Sequence, residues 1–127
     1  MKNRPFRERL GFALAGLKAG WQRERSFRTH MMFGGLALLA LLILRPQPLW
    51  WALVAVVVAL VMALELVNSA VESIIDLLHP DRHPEIKVVK DMVAGAVLTI
   101  SLAALVVALA LVIEAGPAAL VRLGLVS

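Results

Sequence analysis

The chain has 127 residues, 61% of them hydrophobic, with a net charge of +4, whereas a soluble domain carries roughly 45–50% apolar residues. Its apolar blocks call for a membrane and leave too little sequence for a soluble domain of ordinary size. The absence of Cys excludes disulfides, thiol nucleophiles and Cys-based metal sites.

From the N-terminus, residues 6–25 repeat apolar side chains at Phe6, Leu10, Ala13, Leu14, Leu17 and Trp21, surrounded by Arg7, Glu8, Lys18, Gln22 and Arg23. This stripe predicts an amphipathic helix lying on the membrane surface. A secretory leader is the competing reading, but the charged lead-in is too long and no small-residue cleavage pattern follows. Gly11 to Lys18 approximates a phosphate-binding loop, yet the lysine comes one residue late and Ala19 replaces the hydroxyl residue that would hold magnesium. Glu24, eighteen residues after Phe6, returns to the angle of the apolar stripe and so points toward lipid or another helix. Met31 to Leu44 gives fourteen largely apolar residues, short for a membrane crossing, so the first span begins near Ser26 with Arg28 reaching back to the interface. Arg45, Pro46, Gln47 and Pro48 end it. Gly34 and Gly35 in this span read as packing residues.

The next helix, about Leu49 to Leu78, covers roughly 45 Å and emerges from a hydrocarbon layer about 30 Å thick. Trp50 and Trp51 mark one interface. A loop follows, in which His79 and His83 flank prolines and cannot form a regular helical metal pair; a contact to a polar ligand fits them better. The third apolar stretch, Met92 to Ile113, is stopped by Gly116 and Pro117 in this reading. Eight of thirteen basic residues fall between Lys2 and Arg28, and Arg82, Lys87 and Lys90 flank the second hydrophilic segment. Both segments are therefore expected on the cytoplasmic side, with the C-terminus outside. The expected architecture is all-α and integral to the membrane: one domain over 1–127, a surface helix at about 6–25, and spans at about 26–44, 49–78 and 86–115.

Within the second span, Glu65, Asn68, Glu72 and Asp76 sit at spacings of three, four and four, which places them on one helical face. No Lys or Arg occurs from Pro46 to Asp81, so these carboxylates have no sequence-local counter-charge to offset their desolvation. A divalent cation, basic groups from another segment, or protons must neutralise them. Leu64, Leu66, Val67, Ala70, Val71, Ile74 and Ile75 keep the rest of the circumference apolar, so the face is buried in protein or lines a site. Lys90 and Asp91 begin the third span at the same membrane level. Carboxylates, an amide, a lysine and a basic loop at one interface suit phosphoryl transfer to a hydroxyl arriving from the bilayer.

The segment from Glu65 through Leu66-Val67-Asn68-Ser69-Ala70-Val71-Glu72 to Asp76, followed by Lys90-Asp91, resembles the signature of the small prokaryotic diacylglycerol kinase family over nearly the whole chain. The resemblance implies a homotrimer of three-span subunits in the bacterial inner membrane with active sites shared between subunits. It also implies ATP and Mg2+, and transfer of the γ-phosphate to a membrane lipid alcohol. By the same resemblance Glu65 matches the catalytic base, and Glu24 and Glu72 match metal-binding carboxylates that also meet ATP. Asp81, Arg82 and His83 align with the nucleotide-contacting loop, and Lys90 with Asp91 match residues engaging ATP phosphates. Asn68 and Asp76 complete the polar cluster. The stretch Glu24 to His30 ends in a histidine, as is common among undecaprenol kinases, where the best-known diacylglycerol kinases carry an acid; His83-Pro84-Glu85 also resembles forms outside that subgroup. Diacylglycerol is nonetheless the expected acceptor, since one polar position weakly constrains a site that reads its acceptor through apolar contact. Undecaprenol is the alternative within the family, and nucleic acid is not an expected partner.

Two readings from other classes compete. A proton-coupled transporter would explain intramembrane Glu residues, but its site would lie near the midplane between inverted repeats, and the three spans are dissimilar. A non-enzymatic scaffold leaves the buried carboxylates unexplained.

Overall fold

A computed structural model describes residues 2–127, and four helices account for nearly all of them: α1 (Phe6–Arg23), α2 (Arg25–Leu44), α3 (Pro48–Leu78) and α4 (Pro84–Arg122). Helices α2, α3 and α4 are long and apolar enough to cross a membrane. Their boundaries follow from local chemistry. Pro48 and Pro84 open α3 and α4 at the position where a missing N–H costs nothing, and His83 caps α4 by accepting the Glu85 N–H on Nδ1 at 3.1 Å. Arg45 ends α2 in the left-handed conformation, φ 47°, with its N–H bonded to the Leu41 carbonyl, ahead of Pro46, which cannot extend the helix.

Helix α4 runs on past Gly116 and Pro117, where the sequence reading ends the third span. Proline removes one i→i−4 hydrogen bond without forbidding helix around it. The stop signal lies further on: Gly124 takes φ 75°, its N–H bonds the Val121 carbonyl, and the Leu125 N–H bonds the Leu120 carbonyl, both at 3.0 Å. That is a Schellman termination, which a glycine beyond the helix end permits.

Helices α3 and α4 form an antiparallel hairpin, and α2 packs across both. The core of this three-helix contact is Leu41, Val54 and Leu111. At the opposite end α1 docks where α2 and α3 meet. Gly20 is buried, and a Cβ there would stand 2.6 Å from Leu66 Cδ2 and 3.4 Å from the Phe27 ring, so a residue without a side chain lets the helices approach. Phe27, 1% exposed, fills the junction. Six apolar side chains are buried among the described residues, while most of the large ones on α2, α3 and α4 face outward. Such a surface suits hydrocarbon or another protein surface.

Candidate active site

The polar face of α3 forms a staircase in depth. Counted from Pro48 at 1.5 Å per residue, Glu65 lies about 26 Å along the axis, Asn68 about 30 Å, Glu72 about 36 Å and Asp76 about 42 Å. Helical periodicity alone aligns these four, and packing then separates them. Glu65 is the buried charged residue among those described, 5% exposed, enclosed where α2 crosses α3. Asn68 and Glu72 are half-buried and Asp76 is exposed.

Three other elements bring groups to this face. From α2, His30 places Nδ1 3.2 Å from Glu65 Oε1. The distance suits a hydrogen bond, but the ring N–H is not aligned on the carboxylate, so Nδ1 is buried without a formed bond. From α4, Lys90 Nζ donates to Asp76 Oδ1 at 2.8 Å, with Glu72 within electrostatic reach. One turn earlier Lys87 donates to Asp91 at 2.7 Å on the exposed side of the same helix. Beyond α3, the connecting segment borders a cleft of about 500 Å³ lined by His79, Asp81, Arg82, His83 and Glu85. From α1, the chain reaches Glu24, the single residue between α1 and α2, held extended at φ −111°, ψ 110° and half-buried.

Every candidate from the sequence therefore lies at one end of the bundle, joined only in part. Glu65 meets His30, and Asp76 meets Lys90. Among the described residues the side chains of Glu24, Glu72, Asp81 and Arg82 form no ion pair or hydrogen bond, and no three His, Asp or Glu side chains gather as a metal site. Asp91 is occupied by Lys87. Asn68 Oδ1 is buried with no donor, an unmet need of the kind that ordered water, an ion or a ligand satisfies. The donor type fits magnesium, since Glu24, Glu72 and the free amide oxygen of Asn68 are hard oxygen ligands.

The contact of His30 with Glu65 was not predicted from the pattern of charges. Its only signal is that His30 is the one ionisable side chain of α2 beyond its first turn, which puts it inside the apolar layer with Glu65. A second cavity of about 500 Å³ extends from His30 between α2, α3 and α4, walled by Gly34, Val58, Val61, Ser101 and Leu111.

A buried carboxylate whose partner His30 walls an apolar cavity, with lysine and a charged cleft toward the aqueous end, joins a proton acceptor for a hydroxyl to groups that hold anions. No curated protein matches the chain. Residues 11–112, four-fifths of the chain and the whole of this polar end, match the family described as Prokaryotic diacylglycerol kinase, and the protein belongs to that family of membrane lipid kinases.

Proposed function

We propose that this lipid kinase phosphorylates diacylglycerol to phosphatidic acid at the cytoplasmic face of the bacterial inner membrane, working as a homotrimer whose active sites are shared between subunits. The observation that carries the reading is Glu65, a carboxylate 5% exposed that stands on the polar face of α3 and meets His30, which walls the apolar cavity. In this arrangement Glu65 takes the proton from the acceptor hydroxyl as its oxygen attacks the γ-phosphorus of ATP. Lys90 exchanges its exposed Asp76 partner for a phosphate oxygen, with Asp91 beside it. Arg82, with Asp81 and His83, borders the nucleotide in the charged cleft. Glu24 and Glu72 would hold Mg2+, which when bound neutralises charge on the phosphates.

The shared site is supported by what a single chain leaves undone. Among the described residues Glu24 and Glu72 are unpaired, Asn68 Oδ1 has no donor, and the outward faces of the spans are apolar. Orientation is supported by the concentration of basic residues at the ends of α1 and α4 that flank this site.

Undecaprenol is the second reading, favoured by the histidine at position 30 and its contact with Glu65. Transfer of γ-32P from ATP by the purified protein in mixed micelles, offered each lipid separately, decides between them. Labelled phosphatidic acid at the higher kcat/KM supports the proposal; faster labelling of undecaprenol replaces the acceptor; labelling of neither, with ATP and magnesium present, overturns it.

A further inference from the structure

Among the described residues the carboxylate of Glu65 has one ion-pair contact, with the imidazole of His30. Lys90 is engaged on Asp76, Lys87 on Asp91 and Arg28 on the Trp21 carbonyl at 3.3 Å, and among the described residues no Lys or Arg pairs with Glu65. The junction around the pair is tightly packed. Phe27, 1% exposed, lies three residues before His30, and Leu66, adjacent to Glu65, fills the space above Gly20. Helices α1, α2 and α3 thus fix the backbones of both partners, and a turn of the imidazole is what would align its N–H on the carboxylate.

We propose that His30 is a positioning residue for the base: Nδ1–H holds one oxygen of Glu65, so that the other oxygen faces the hydroxyl of the acceptor. This rests on the kinase reading above, in which Glu65 is the base. A carboxylate free to rotate presents its lone pairs in many directions, whereas one tethered at Oε1 presents Oε2 in few, and proton abstraction is sensitive to such placement. In the transfer step the acceptor O–H bond breaks and its proton goes to the untethered oxygen of Glu65. The acceptor oxygen bonds the γ-phosphorus as the bridge to the β-phosphate breaks, and ADP leaves. Glu65 then releases the proton to water, and His30 keeps its own throughout.

His30 also walls the apolar cavity, so a purely space-filling role must be separated from the donor role. His30→Leu keeps volume and removes the donor; His30→Asn loses ring volume but sets an amide N–H near the position of Nδ1. Both are assayed for lipid phosphorylation in mixed micelles with ATP and acceptor varied, after thermal unfolding and gel filtration in detergent show the protein intact. The expected result is a kcat lowered roughly 10- to 100-fold in His30→Leu, the scale of a misplaced catalytic group, with the KM for ATP unchanged. His30→Asn should recover kcat to within about threefold of the parent, as donor geometry is restored. In a Glu65→Gln background His30→Leu should cost nothing further, because a positioning residue acts only through the group it positions.

The proposal is overturned if His30→Leu keeps the parental kcat, if Asn and Leu are equally impaired, or if Leu lowers the residual rate of Glu65→Gln by the same factor as in the parent. Should His30→Leu lose its fold, His30→Met, which fills the same volume with a flexible chain, carries the same expectations. A parent protein that phosphorylates no lipid overturns the kinase reading itself, an outcome distinct from an active parent indifferent to position 30.

Discussion

At the Trp50 end of the bundle the chain closes on itself. Leu41, Val54 and Leu111 interlock, Ala119 is 3% exposed, Trp50 Nε1 donates to Glu114 Oε2 at 2.8 Å, and Arg122 donates to the Ile43 carbonyl. At the Glu65 end the same three helices hold polar groups that one chain does not satisfy: an orphaned amide oxygen on Asn68, a buried carboxylate with a misaligned neighbour, and Glu24 and Glu72 without partners. Buried polar groups are normally paired, so an end that satisfies its own groups serves as scaffold. In the function proposed above, the end that leaves them unmet takes its partners from outside the chain, as ATP, a cation, a lipid hydroxyl or a second subunit.

The sharpest test of this contrast is at Glu72. Glu72→Gln preserves volume while deleting a negative ligand, and turnover should fall by about 10³-fold or more, since groups aimed at the transferring phosphate are worth that order each. Unfolding in detergent should be unchanged or slightly delayed. Glu65→Gln should lower kcat by about 10²–10⁴-fold, the usual contribution of a general base, while ATP affinity measured by nucleotide binding stays near the parental value. Near-normal turnover of Glu72→Gln at saturating magnesium removes Glu72 from the metal site. Loss of ATP binding in Glu65→Gln, with kcat intact, moves Glu65 to the phosphate contacts.

Subunit mixing asks whether the unmet groups belong to a neighbour. Glu24→Gln and Glu72→Gln are each expected to be inactive. Reassembled together from denaturing detergent, they should recover up to about a quarter of parental activity, because some shared sites then receive both carboxylates, as symmetric oligomers allow. Two distinguishable tags confirm mixing. Mixed oligomers that stay inactive place Glu24 and Glu72 of each site on the same chain.

A smaller effect is expected at the α1 junction. Gly20→Val forces branched volume into space that Leu66 Cδ2 occupies at 2.6 Å from a Cβ, levering α1 away from α3 four residues before Glu24. Activity should fall roughly tenfold, in line with the sensitivity of catalysis to small displacements. Gly20→Ala should remain close to parental, because the terminal methyl of Leu66 can rotate aside. Equal activity of both variants would detach the seat of α1 from the site. The smallest effect belongs to the closed end: Trp50→Phe removes one hydrogen bond, worth about 1 kcal/mol of stability, and should lower the unfolding midpoint slightly with kcat unaltered. A kinetic defect in Trp50→Phe would show that the two ends are coupled.

Helices were legible because their signals are local. The apolar stretches, Pro48 and Pro84 at helix starts and the His79–His83 break are each written within a few residues, and α3 begins one residue before its expected start. Pro117 resembles a stop, whereas α4 runs on to Arg122 and is terminated by Gly124, whose φ is positive. Glu24 was assigned to the apolar stripe by continuing helical rotation through it. The helix breaks at that residue, so the half-burial of Glu24 comes from the α1–α2 junction and not from its angle. The polar face of α3 was readable from spacing, and the level shared by Asp76 and Lys90 from span length. The pairing of His30 with Glu65 was not, because it joins residues thirty-five apart through the crossing of two helices, which no periodicity within either helix encodes.

The staircase on α3 also fixes how rates should be counted. With Pro48 taken at one boundary of a hydrocarbon layer about 30 Å thick, Glu65, at about 26 Å, falls within it and Asp76, at about 42 Å, beyond it. One substrate is thus delivered in two dimensions and the other in three. Turnover should follow the mole fraction of acceptor in the bilayer or micelle, so that diluting the acceptor with inert lipid at constant bulk concentration slows the enzyme. Diluting the whole suspension with buffer at constant ATP should leave the rate per enzyme unchanged.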